Sequence, residues 1–141
     1  MKPKLLLLPV VLILAATILW SCRNTRTPDM YLIPQNYVGW VIVSAGVKGS
    51  PPLPLYHGYR LIVVPQAGEV RTSTHAEPGV AFDKYYYYDV HTKKILKEID
   101  QKDVHINGYY QFFVGSDAVY KADENKADKH YGRPGNRAKH D

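Results

Sequence analysis

An apolar run from Leu5 to Trp20, broken only by Pro9 and Thr17 and followed by Ser21 and Cys22, divides this 141-residue chain in two. The run follows Lys2 and Lys4. Positive residues, an apolar stretch and a small residue before a cut site make an export signal. Its sixteen residues fall short of the roughly 20 that a helix needs to cross the hydrocarbon core, so cleavage ahead of Cys22 is expected. Cys22 is the only cysteine. Disulfides in an exported chain need paired cysteines, so whatever follows must fold without them. The 120 residues from Cys22 to Asp141 are long enough for one hydrophobic core.

Leu19, Ser21 and Cys22 resemble the lipobox of bacterial lipoproteins, with Trp20 departing from the small or modest residue usual at its position. The resemblance implies that Cys22 is lipid-modified, becomes the first mature residue and ties the chain to a membrane outside the cytoplasm. Arg23, being non-acidic, is compatible with passage to the outer membrane in a Gram-negative cell. The alternative is an uncleaved run that serves as a single-pass anchor.

Without Lys2 and Lys4 the chain keeps sixteen basic and thirteen acidic side chains, a formal charge of +3 against +5 for the full sequence. That excess is too small for a nucleic-acid footprint, and no nucleic-acid partner is expected. It suits contact with anionic envelope polymers or lipid headgroups.

Arg23 to Met30 is polar, contains Pro28 and reads as a flexible tether. The expected divisions are a signal over 1–21, a tether over 22–30, a β-domain over 31–120 and a charged tail over 121–141, disordered or at best a frayed helix. Within the domain, Tyr37–Val43, Tyr59–Val64, Val70–Thr74, Lys84–Val90 and Tyr109–Val114 are rich in β-branched and aromatic residues without helical period, the mark of strands. Both faces of Tyr37–Val43 are apolar, which predicts a central or doubly buried strand. Ile95–Ile99 fits a strand or one helical turn, and Ala118–Tyr120 a short strand. The Gln66–Glu69 turn predicts a hairpin between Tyr59–Val64 and Val70–Thr74. Ser44–Gly58, with Pro51, Pro52 and Pro54, reads as a rigid loop. Strands without long helical segments between them predict an all-β, antiparallel sandwich of about six or seven strands.

Catalytic signatures are missing from the sequence: no His-Glu-x-x-His, no Gly-x-Ser-x-Gly, no phosphate-binding or dinucleotide loop. Asp100, Asp103 and Asn107-Gly108 do not have calcium-loop spacing, and no metal or other cofactor is expected. Tyr85–Tyr88 would point alternately to the two faces of a strand, packing there or forming an aromatic platform for a sugar or peptide. The expectation is a non-enzymatic envelope module that binds an envelope protein or polymer, or serves a structural role. Its rival is an envelope hydrolase built from loop residues such as His57, His75 and Asp83, which would have to converge on one pocket.

Ile33-Pro34, Tyr37, Gly39-Trp40-Val41, Pro51-Pro-Leu-Pro54, Gly58, Arg60, Pro65, Gly68, Thr72-Ser73 and Tyr88-Asp89 resemble a family of small bacterial secreted or lipid-anchored proteins with no established activity. The resemblance covers Tyr31 to Asp89 and implies an extracytoplasmic location but no site. The succession of a Gly-Trp-Val strand, a Pro-x-x-Gly turn and a Thr-Ser strand is also similar to transthyretin-like sandwich modules of envelope proteins.

Overall fold

In a computed structural model the described residues are 25–108 and 110–130, with side chains as far as Asp123. The apolar N-terminal run, Cys22 and residues 131–141 lie outside them. Among the described residues no helix is long and apolar enough to cross a membrane.

Nine strands are described: β1 (Asp29–Pro34), β2 (Gly39–Ser44), β3 (Leu55–Tyr56), β4 (Tyr59–Val63), β5 (Glu69–Arg71), β6 (Lys84–Tyr88), β7 (Ile95–Glu98), β8 (Val104–Ile106) and β9 (Gln111–Val114). One helix, α1 (Asp117–His130), follows them. They form two sheets, ordered β3-β4-β1-β6-β7 and β5-β2-β9-β8. The fold is thus all-β and two-layered, as the strand-rich sequence predicts. One core lies between the layers, with Tyr31, Ile33, Ile62, Val64 and Tyr85 from the first sheet meeting Val41, Val43, Phe112 and Val114 from the second. Ile33, Ile62, Val41 and Val64 are fully buried, and each such side chain contributes about 1.5–3 kcal/mol on leaving water.

The strand directions correct the antiparallel expectation. β1 runs parallel to both of its neighbours, with Asp29 opposite Arg60 on β4 and Met30 opposite Lys84 on β6. β5 is parallel to β2, and the remaining pairs are antiparallel. Parallel pairing needs crossovers of a dozen or so residues, and here they run through the other sheet, with β2 between β1 and β4, and β4 between β2 and β5. The hairpin expected between β4 and β5 is not formed either. Pro65 offers no N–H to a ladder, and the chain turns there, closed by the Gly68 N–H donating to the Pro65 carbonyl at 2.9 Å, and crosses to the other sheet. Ile95–Glu98 takes the strand alternative. Leu55–Tyr56, at the end of the proline-rich loop, makes a short ladder with β4.

Gly68 seals that crossover. Its φ is +77°, a left-handed conformation, and a Cβ there would run into the Trp40 carbonyl and the Tyr37 hydroxyl. The same hydroxyl donates to the Trp40 carbonyl at 2.5 Å. Left-handed backbone costs a non-glycine residue about 1–3 kcal/mol. Gly68→Ala is expected to lose at least about 2 kcal/mol, read as a lower urea midpoint with unchanged slope.

Both ends of the domain differ from expectation. Thr25 bridges to Val80, the Arg26 N–H donates to the Val80 carbonyl, and the Thr27 N–H donates to Glu77, so residues 25–30 are a built part of the fold and not a tether. At the other end, Ala118–Tyr120 opens α1, and the helix runs on through residues expected to be tail. Ala, Lys and Glu favour helix, and Asp117 pairs with Lys121 at 2.6 Å. Packing supplies the rest. The outer face of the second sheet presents Trp40 and Phe113, and Tyr120 closes over both rings, with centroids 5.9 and 5.6 Å away. His105 stacks on Tyr120 at 4.4 Å, and the Trp40 indole N–H donates to Asp123 at 2.7 Å. β2 is therefore interior, but its outer face is covered only in part, leaving Val38 and Ile42 exposed.

Candidate ionic and aromatic site

Arg60 stands in the apolar strand β4, and a guanidinium buried there needs a partner. The parallel register supplies it by placing Asp29 alongside. Arg60 Nε donates to Asp29 Oδ1 at 2.7 Å and Nη2 to Oδ2 at 3.2 Å, the two-pronged geometry that suits a carboxylate. Nη2 also donates to the Tyr110 hydroxyl at 3.0 Å. Arg26 binds the same carboxylate from the other side, with Nη1 3.1 Å from Asp29 Oδ2, and carries its Nη2 to Asp83 Oδ2 at 2.5 Å. Asp83 Oδ1 accepts the Asp29 backbone N–H at 2.8 Å. Glu77 completes the group, accepting from the Thr27 N–H and lying 3.5 Å from Arg60 Nη1, a buried nitrogen with no hydrogen bond of its own.

Burial of Asp29 pushes its carboxyl above the ordinary range, against the pull of Arg60 and Arg26. Burial also opposes the charge on Arg60, but the hydrogen bond and charge of Asp29 outweigh it and hold the guanidinium above its ordinary value. The Thr27 N–H holds Glu77 below the usual carboxylate range.

Beside this network the two sheets leave a cavity of about 280 Å³, lined by Arg26, Asp83 and Tyr110 together with the rings of Tyr31, Tyr85 and Phe112. Tyr31 and Tyr85 stack at 5.1 Å, nearly parallel, and both meet the edge of Phe112. Burial raises both phenols, so they remain hydroxyls at neutral pH. A concavity with aromatic walls and a few converging polar groups is the usual form of a small-ligand site. Its polar groups can hold and orient a ligand, whereas the described lining holds no Ser, Thr, Cys, His or Lys. A second concavity of about 480 Å³ lies at the far end of β1, against Gln35, Tyr37, Tyr87 and Leu96.

The residues named for a hydrolase do not meet there. Asp83 lines the cavity but is occupied by Arg26 and the Asp29 N–H. His57 sits in the β3–β4 turn against the Tyr56 ring, and His75 packs beside Gly46. Tyr85 and Tyr87 do turn to the core, as alternation requires, and Tyr86 lies half-buried on the other face. Among the described residues no group of three or more His, Cys, Asp or Glu is placed to hold a metal ion. Cys22 lies outside the described residues. No motif marks Arg26, Asp29, Glu77 and Tyr110, and Arg60 enters only through the family resemblance, although a lone arginine within Tyr59–Val64 is itself a signal for a buried counter-charge.

No curated protein matches this chain. A crystal structure of a Bacillus anthracis protein named as a candidate lipoprotein shares the fold, with 20% identity and a TM-score of 0.53 over 76% of this chain and 98% of that one. The model of a family of unknown function, DUF6843, matches residues 25–132. The chain belongs to that family.

Proposed function

We propose that this protein is a bacterial lipoprotein, anchored outside the cytoplasm through lipid on Cys22, whose β-domain is a non-enzymatic binding or structural module of the envelope. The observation that carries the anchor is Leu19-Trp-Ser-Cys22 at the end of an apolar run too short to span. The fold shared with a candidate lipoprotein supports the same reading. For the module, the support is the pairing within the ionic network. Arg26 and Arg60 each engage Asp29, and Asp83 is engaged by Arg26, so these groups set shape and polarity and are not poised to exchange protons with a substrate.

Intact mass of membrane-extracted protein tests the anchor. The expected mature species begins at Cys22 and carries added acyl mass, and Cys22→Ala abolishes both. An unmodified full-length mass would replace the lipid with a membrane-spanning anchor. Turnover of generic ester, peptide or phosphate substrates that disappears in Asp83→Asn would overturn the non-enzymatic reading.

A further inference from the structure

Only Arg23 and Asn24 separate Cys22 from Thr25, which is already bridged to Val80. Fully extended, three residue steps reach at most about 11 Å. If the lipid is on Cys22, as proposed above, the surface around Val80 has no room to stand away from the membrane. That surface is apolar: Val80 is 71% exposed, Phe82 89% and Ile106 70%. Val80 and Ile106 border the cavity mouth. The parallel register brings the starts of β1, β4 and β6 to the same end of the first sheet. The β3–β4 turn lies there too, with Tyr56 exposed and the Lys84 ammonium 5.2 Å from the Tyr59 ring centre. Aromatic rings and lysines with apolar stems suit the boundary between headgroups and acyl chains.

We infer that this end of the domain rests on the lipid bilayer, with Val80, Phe82 and Ile106 inserted at the headgroup boundary and the lipid on Cys22 beside them. The occupant is the bilayer and not a protein, because the covalent distance already forces contact. The cavity mouth then opens toward the membrane, and α1 and the outer face of the second sheet remain available to the aqueous side.

The test uses the full chain, processed in a host that acylates it and reconstituted into phosphatidylcholine–phosphatidylglycerol vesicles bearing nitroxide on the acyl chains. Phe82→Cys and, separately, Thr92→Cys in the β6–β7 turn at the opposite end are labelled with an environment-sensitive fluorophore. Acylated Cys22 has no free thiol to compete. The label at position 82 is expected to shift to shorter wavelength and lose most of its emission, the label at 92 to do neither, and Val80→Glu to restore emission at 82. Equal, weak quenching at both positions in protein whose mass shows acylated Cys22 overturns the proposal while leaving the lipoprotein reading intact. A mass without acylation removes that reading and the proposal with it.

Discussion

Asp29→Ala is expected to destabilise the domain by about 3–5 kcal/mol, the usual cost of removing one partner from a buried ion pair. Asp29 is fully buried and Arg60 nearly so, and without the carboxylate both Arg60 and Arg26 lose a hydrogen-bonded partner. At about 4–8 °C per kcal/mol for a domain of this size, the melting temperature should fall far enough to leave little folded protein at growth temperature. Arg60→Ala should be comparable, since it leaves the Asp29 charge buried. The double replacement Asp29→Leu with Arg60→Met should recover much of the loss, because an apolar pair of similar volume often matches a buried ion pair. A double-mutant cycle by urea denaturation measures this, and near-additive losses would show that the pair acts independently. The pH dependence has two opposing parts. Glu77, held below its ordinary value of 4.5, stabilises the fold above that pH and ceases to as acid carries the pH down through its folded value. Asp29, raised from 3.8, does the reverse, and stability falls as pH rises from 3.8 to its folded value.

Phe113→Ala carries the second large effect, about 3–5 kcal/mol for deleting a buried phenylalanine. Phe113 is 2% exposed and lies outside the inter-sheet core, pressed between β9 and α1 by Trp40, Tyr120 and His105. A 14-residue helix is marginal by itself, so loss of this ring should release α1 as well. Far-UV circular dichroism should then lose helical signal before the sheets unfold. Tyr120→Ala should free the helix with a smaller loss of stability, separating the two effects. A helix that stays put in both variants would mean that the Trp40–Asp123 hydrogen bond alone holds it.

The strands are legible because alternate Val, Ile and Tyr residues need no information from elsewhere in the chain. Val41, Ile62, Tyr85 and Phe112 all reach the core from runs that read as strands, whereas Tyr31 lies on β1, which does not read as one. Their partners are not legible. Nothing local to Tyr59–Val63 says that it pairs parallel with Asp29–Pro34, because that choice depends on how the chain returns from β2 in the other sheet through the proline-rich loop. The site was hidden for a related reason. Arg26 and Asp29 read as polar tether residues, and only the Asp29–Arg60 register turns them into a buried network. Val119 and Tyr120 have strand propensity, but Trp40 and Phe113 offer an outer face that Tyr120 covers from a helix.

The parallel neighbours of β1 also set the order in which the chain can fold as it is made. The partner of Asp29 lies 31 positions later and that of Met30 lies 54 later. β1 therefore keeps one ladder edge unpaired until Tyr59–Val63 has been made and the other until Lys84–Tyr88 has followed. Pairings this distant close slowly, and an unpaired apolar strand invites association with other chains in the interval. Refolding should be slow for the domain's length, and the yield of folded protein should fall with concentration.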